Sequence, residues 1–306
     1  MAYLWLWLCR ARAVFVLLQN LLMIVNFDIN INMIETSVII PTYNRLNFLR
    51  EAVASVLNQS WRDFELIVVD DGSTDGTRAY VEGLGAEIIY LYQDNRGPSA
   101  ARNRGIAAVR GEFVTFLDSD DLWQKNKLKV QIDFMHAHPD AMVCYTDEIW
   151  IRHGVRVNQK KKHRKFSGWI FEKCVPLCIV SPSSVLMRCE FFDGVGLFDE
   201  DLPACEDYDL WLRAALRFPF HFIPQKLIIK KGGHPGQLSA GWGLDRHRVT
   251  ALLKLLREPE LTDKAKDLVI ATITEKCRIL EQGFRKRGKI EEANYYRKLV
   301  SERGLT

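Results

Sequence analysis

Two groups of carboxylates have the type and spacing to do chemistry. Asp70 and Asp71 close the run ELIVVD, and Asp118, Asp120 and Asp121 close EFVTFLD. Converging carboxylates repel one another unless a cation or a donor-rich ligand satisfies them. In Asp118-Ser119-Asp120 the two carboxylates fall on the same side of an extended stretch, because side chains alternate along it. That geometry suits a hard divalent ion such as Mg²⁺ or Mn²⁺, which takes oxygen ligands and usually keeps substrate phosphates in its shell. The plain alternative is a set of turn or N-cap aspartates, common where strands pass into helices. Aspartates at two strand ends, two of them in a D-x-D, favour the ion.

The elements that must position these groups read as a parallel α/β arrangement. SVII (37–40), ELIVVD (65–70), EIIYLY (87–92) and EFVTFLD (112–118) are short, continuously apolar runs, the pattern of strands covered on both faces. Helical spacing predicts helices over 46–58, 75–83, 98–109 and 124–137, and a further strand over 141–146. In such sheets ligands bind beyond the carboxyl ends of the strands. Both aspartate groups sit at such ends, so they converge on one rim.

Five segments in order resemble the signatures of family 2 glycosyltransferases with the GT-A fold. They are VIIPTYNR (38–45), VVDDGSTDGT (68–77), NRGPSAARNRGI (95–106), FLDSDD (116–121) and PACEDYDLWLR (203–213). Each motif is weak alone; together, spread from Thr36 to Ser239, they are specific. The resemblance implies a mostly parallel central sheet flanked by helices. It also implies an inverting, metal-dependent transferase that uses a nucleotide-diphosphate sugar. Carried over, Pro41, Thr42 and Tyr43 line the nucleotide base pocket, and Asp71 accepts a hydrogen bond from the base, which suits the N–H of uracil or thymine. Asp70 braces the loop. Arg102 and Asn103 flank the donor, Asp118 faces the ribose or the metal, and Asp120 ligates the metal. Asp207 is the general base, and Glu206 helps to orient the acceptor. His234 is a further candidate near the diphosphate or the metal. The chain departs from the pattern at Gly232, where an Arg often precedes the His; Lys230 or Lys231 could compensate.

The chemistry supports these residue types. Displacement at a sugar carbon needs a carboxylate to take the acceptor proton, typically worth about 10²–10⁴-fold. It also needs stabilisation of the leaving diphosphate, which a divalent ion supplies. A sugar nucleotidyltransferase is the rival enzyme, but PTYNR lacks the Gly-rich first loop of that class. A catalytically silent nucleotide-sugar-binding protein would be favoured if Asp120 or Asp207 were missing. The donor is expected to be UDP-linked and the acceptor a saccharide or lipid-linked saccharide in cell-surface polysaccharide assembly.

Elsewhere the reading is plainer. The basic run Lys160–Lys165 reads as a solvated loop, with contact to an anionic acceptor or membrane surface as the alternative. Ser181, Ser183 and Ser184 could hydrogen-bond a sugar. The cysteine spacings form no paired zinc elements. Leu210, Trp211, Ala214, Ala215 and Phe218 recur at helical spacing, which puts Asp207 at the N-terminal end of a helix. Residues 245–303 have helical period, with a break between Gly283 and Gly288. They read as a helical C-terminal extension capping the domain, with membrane contact or dimerisation the alternative.

The composition fits this reading. Of 306 residues, 42 are basic and 38 acidic, a net charge of +4, too mild for a nucleic-acid partner. Seven cysteines in a chain of this length read as reduced thiols. Residues 1–32 are strongly apolar but are interrupted by Arg10 and Arg12, so neither run reaches the about 20 apolar residues of a bilayer-spanning helix. They read as an N-terminal extension outside the fold, with Met33 the natural start. A membrane-associating segment and a signal anchor are the alternatives. The expected organisation is therefore 1–32 as extension, 33–244 as the GT-A domain and 245–306 as the helical extension. Such an enzyme would work in the cytoplasm, with peripheral contact to the inner face of the membrane.

Overall fold

Strand β1 (Thr36–Thr42) is buried along its whole length in the computed structural model. The structure describes residues 34–234, 236–237 and 241–302. The apolar stretch 1–32 lies outside the described residues. β1 is followed by β2 (Phe64–Asp70), β3 (Ile88–Tyr92) and β4 (Phe113–Phe116). These four pair in parallel in the order β3-β2-β1-β4. Helices α1 (Leu46–Leu57), α2 (Thr77–Glu82) and α3 (Pro98–Ile106) make the crossovers. α1 buries Leu49, Ala52, Val53 and Val56 in one layer with Val38, Ile40, Leu66 and Val68. Each large aliphatic side chain there contributes roughly 1.5–3 kcal/mol. Ile39 faces the other side of the sheet. There α3 approaches so closely that a Cβ at Gly105 would stand 2.5 Å from Ile39 Cγ2.

The chain runs outward from β1 to β3, then returns to place β4 on the other flank of β1. A crevice opens at such a switch point. β4 accompanies β1 only to the pair Ile39–Phe116, whereas β2 continues to Thr42–Asp70. Pro41 fits this divergence. The Ile39 carbonyl bonds toward β4, accepting from Leu117 N at 2.9 Å, so residue 41 faces the same way. β4 has already left, and the missing N–H of proline costs no ladder bond.

Beyond β4 the sheet is mixed rather than parallel. β8 (Val185–Arg188) is antiparallel to β4 and to β6 (Val143–Arg152). β9 (His221–Gly232) runs parallel to β6, with two register shifts around Asp147. The short β5 (Leu122–Trp123) and β7 (Val155–Val157) add antiparallel pairs to β9 and β6. Both β6 and β9 are longer than their apolar runs announce, because each supplies the ladder partners of the other.

Helices α4 (Lys127–Ala137), α5 (Phe171–Cys174), α6 (Phe191–Val195) and α7 (Glu206–Arg217) complete this part. Then come α8 (Asp245–Leu255), α9 (Asp263–Lys286) and α10 (Ile290–Glu302). The break before α10 falls at 287–289, where Gly288 has φ +71°. Gly283, expected at that break, lies inside α9 instead. α8 is tied to α7 by Lys254 Nζ, which donates to Asp209 at 2.8 Å. The described residues from Glu35 onward form one compact unit. No helix among the described residues is long and apolar enough to cross a membrane.

Candidate active site

A cleft of about 1190 Å³ opens at the carboxyl ends of the first strands. Pro41, Thr42, Tyr43, Asp71, Arg102, Asp118, Asp120, Glu206 and Asp207 all line it. The loops after β1 and β2 are knitted together. Asn44 N donates to Ser73 Oγ and Thr74 N donates to Asn44 Oδ1, each at 2.8 Å. Asn44 has φ 49°, a left-handed conformation that asparagine tolerates better than most residues. Tyr43 is 47% exposed on this loop, an aromatic face open to stacking.

Asp70 and Asp71 divide the work of holding the rim. Asp70 is fully buried; it accepts from Ser73 N at 2.8 Å and from the Tyr90 hydroxyl at 2.7 Å. Asp71 accepts from Gln93 Nε2 at 2.7 Å, Arg96 N at 2.9 Å and Gly97 N at 2.8 Å. A carboxylate offers about four acceptor positions, so one remains beside the cleft.

Arg102 sits at the centre of the site, 5% exposed. Its Nη2 donates to Asp118 Oδ1 and its Nη1 to Glu206 Oε1, each at 2.6 Å. Burial works against its charge, but the two carboxylates more than offset this and hold it firmly protonated. Glu206 is itself buried; burial lifts its carboxyl above the usual range, Arg102 opposes that rise, and Asp207 adds to it. Asp118 belongs to the D-x-D and Glu206 to the first turn of α7. One guanidinium thus fixes the two sides of the cleft against each other.

Asp207 is placed differently from its neighbour. Its Oδ1 accepts from Tyr208 N at 2.7 Å, and its Oδ2 meets the Cys178 thiol at 3.5 Å. It is only partly buried and faces the cleft, with acceptor positions left over. The preceding Cys205 has φ 63°, an uncommon backbone for a residue with a side chain. That turn starts α7 at Glu206 and leaves the two adjacent carboxylates in different environments.

Asp120 Oδ2 accepts from Arg45 Nη1 at 2.5 Å and lies 3.0 Å from His234 Nε2. His234 also packs on Phe48, with ring centroids 4.6 Å apart. Asp121 is buried and holds the loop from inside: its Oδ2 accepts from Ser183 Oγ at 2.7 Å. Burial raises its carboxyl well above the usual range; Lys230 opposes this, and Asp118 and Asp120 reinforce it. Lys230 lines the cleft within reach of the charges of Asp121, Glu148, Asp118 and Asp207. Burial disfavours its charge, but these carboxylates prevail and keep it protonated.

The residues present fit a divalent ion. Asp118 Oδ2 and Asp120 Oδ1 carry no hydrogen bond from the described residues, while the other oxygen of each is held by an arginine. Among the described residues no three His, Cys, Asp or Glu side chains form a ready-made cage. Two carboxylates completed by substrate phosphate and water is the mode in which Mg²⁺-type ions usually bind.

Several sequence expectations need correction. Asn103 does not reach the cleft. Its Nδ2 donates to the Phe198 carbonyl at 2.9 Å and its Oδ1 accepts from Phe198 N at 3.0 Å, so it pins the segment before α7. Ser183 and Ser184 are fully buried loop braces, and only Ser181 lines the cleft. The basic run is not uniformly solvated. Lys160, Lys161 and Lys162 are exposed, but Lys165 is buried, with its Nζ 3.0 Å from Glu148 Oε1. Arg45, within PTYNR, also lines the cleft and donates to Asp120. Arg248, on α8, also lines the cleft; no spacing pattern could have flagged it.

Comparison with known proteins agrees with this architecture. The family model described as glycosyl transferase family 2 matches residues 37–196. An uncharacterized glycosyltransferase of Rickettsia typhi is 33% identical over 210 residues, 66% of this chain and 64% of that protein. The putative teichuronic acid biosynthesis glycosyltransferase TuaG of Bacillus subtilis is 43% identical over 104 residues, 32% of this chain and 41% of that one. The chain spans about a third to two thirds of the length of the first curated relatives it matches. Among solved structures, S. aureus TarS 1–349 in complex with UDP-GlcNAc superposes with a TM-score of 0.62 at 19% identity, over 88% of this chain and 92% of that one. The mannosyltransferase PcManGT from Pyrobaculum calidifontis, in complex with GDP-Man and Mn²⁺, gives 0.59 at 18% identity, over 88% and 75%. At such identity these two structures speak for the fold alone, the GT-A arrangement expected from the motifs. With the ordered motifs lying along one cleft and the matched stretch running from β1 through α6, the chain belongs to glycosyl transferase family 2.

Proposed function

We propose that the protein transfers a sugar from a nucleotide-diphosphate sugar, UDP-linked in the first instance, to a hydroxyl of a saccharide or lipid-linked acceptor in cell-surface polysaccharide assembly. The observation that carries this reading is the contrast between adjacent carboxylates. Glu206 is locked to Arg102, and Asp207 faces the cleft with acceptor capacity to spare. Asp207 takes the proton of the acceptor hydroxyl. The acceptor oxygen attacks the anomeric carbon, whose bond to the diphosphate oxygen breaks. The nucleoside diphosphate leaves, and the configuration inverts. Tyr43, Thr42, Pro41 and Asp71 receive the nucleotide, with Asp71 accepting from the base. Asp118 and Asp120 would hold a divalent ion with the donor diphosphate; when bound, Mn²⁺ or Mg²⁺ neutralises the charge growing on the leaving group. Arg45 and His234 hold Asp120 there, and Lys230 adds positive charge nearby. The exposed Lys160, Lys161 and Lys162 suit peripheral contact with an anionic membrane surface that presents a lipid-linked acceptor.

The test is a thermal-shift panel of nucleotide-diphosphate sugars with and without Mn²⁺ or Mg²⁺. A ligand at 100 times its Kd adds about 2.7 kcal/mol of stability. Stabilisation by one nucleotide class that requires the ion, followed by an inverted anomeric signal in the product, is the expected result. A retained configuration would remove the single displacement, and no stabilisation by any nucleotide sugar would remove the donor assignment.

A further inference from the structure

The helical extension is part of the cleft. Leu244 and Arg248 line it together with Asp207, Cys178 and Cys205. The start of α8 touches the start of α7, with Cys205 Sγ 3.8 Å from the Leu244 carbonyl. Arg248 therefore stands on the side of the cleft that holds Asp207, away from the D-x-D.

Unlike Arg102, whose partners lie on other elements, Arg248 pairs with a carboxylate of its own helix. Arg102 is matched by Asp118 and Glu206, Arg45 by Asp120, and Lys165 by Glu148. Arg248 shares its carboxylate. Asp245 Oδ1 accepts from Arg248 Nη1 at 2.9 Å and from Lys276 Nζ of α9 at 3.1 Å. Arg248 and Lys276 thus share a single carboxylate. The same contacts fix the guanidinium in place, so little rotamer freedom is lost when a ligand binds. Its Nε is sealed from the cleft, whereas its Nη2 makes no hydrogen bond to the described residues and is left to a ligand. An anionic oxygen is the acceptor that best satisfies an arginine.

We propose that Arg248 is a specificity residue that binds an anionic group, a phosphate or a carboxylate, on the acceptor beside the hydroxyl that receives the sugar. The proposal rests on the reading of Asp207 as the group facing the acceptor. An acidic acceptor is disfavoured beside the Asp207 carboxylate unless a fixed cation stands close by. Arg248 supplies that cation from a helix outside the sheet.

Isothermal titration calorimetry on the full chain at low ionic strength tests this with four probes. Glycerol 3-phosphate and glucuronate are compared with their neutral counterparts, glycerol and glucose. The expected result is that one charged probe binds at least about tenfold more tightly than its neutral counterpart, as a charge-assisted pair predicts. Arg248→Gln abolishes that preference and Arg248→Lys keeps part of it. Which charged probe wins tells phosphate from carboxylate. Equal affinity for charged and neutral probes, or a preference that survives Arg248→Gln, overturns the proposal. Should Arg248→Gln fail to fold, the wild-type preference and the Arg248→Lys variant still decide. Binding is read without turnover. A protein that prefers the anionic probe but binds no nucleotide sugar would therefore refute the proposed donor chemistry and leave this corner standing.

Discussion

Arg102 Nη1 lies 2.6 Å from Glu206 Oε1, joining residues 104 apart in the chain. The other terminal nitrogen of the same guanidinium reaches Asp118 at 2.6 Å. The rim that carries the D-x-D and the helix that carries Asp207 are therefore set by one planar group. Its fork geometry fixes an angle as well as a distance.

Removing that group leaves two carboxylates in a poorly solvated place. Arg102→Gln is expected to lower stability by about 3–5 kcal/mol, the usual cost of breaking a buried charge pair on one side. Arg102→Lys should not restore it, because an ammonium cannot bridge two carboxylates as a fork does. Urea denaturation of the three proteins decides; a Lys variant as stable as wild type would mean that charge alone suffices.

Asp207→Asn is expected to lower transfer by about 10²–10⁴-fold while nucleotide-sugar binding persists. The amide keeps the shape and removes the basic oxygen. Glu206→Gln should act instead on stability, since it strips Arg102 of a partner. If Asp207→Asn keeps near-normal transfer, another group takes the proton.

Asp120→Ala should abolish any strengthening of nucleotide-diphosphate binding by Mn²⁺ or Mg²⁺, because it removes half of a two-carboxylate site. Titrating UDP with and without the ion reads this directly. An ion effect that is undiminished in the variant would place the cation elsewhere.

Glu148 gives a pH signature. Burial pushes its carboxyl up, but Lys165, Lys230 and the hydrogen bonds from Trp150 and Lys165 outweigh this and lower it from 4.5 to about 2. A carboxyl that is more acidic when folded adds stability that is complete above its unfolded value and is lost as pH falls through the folded one. The contribution is about 3 kcal/mol from the size of the shift, and it should fade between pH 4.5 and about 2. Melting curves of wild type and Glu148→Gln across that window test it: the gap between the two proteins should narrow as pH falls. A gap that is constant with pH would show that the Glu148 charge is not what Lys165 stabilises.

The parallel half of the sheet was legible from residue types alone. SVII and ELIVVD read as strands covered on both faces, the first ended by Pro41 and the second by the Gly- and Asp-rich DGSTDGT. The rim aspartates were legible for the same reason, since a strand end is a local feature. The mixed half was not. β6 and β9 extend well past their apolar runs because each completes the other, and no local pattern encodes a partner dozens of residues away.

The site divides along the same line. The sequence by itself determined which residues stand at the rim: Tyr43, Asp71, Asp118, Asp120, Glu206 and Asp207 all line the cleft. Only the tertiary structure decided what each is bonded to. Asn103 turned to Phe198, Lys165 turned inward to Glu148, and the adjacent Glu206 and Asp207 were separated into a buried ion pair and a group open to the cleft. Arg248 entered from a helix of the extension. Hydrogen bonds and ion pairs depend on distances between segments far apart in the chain, and burial sets their strength. Residue type names the groups that can react, and packing settles which of them are left free to do so.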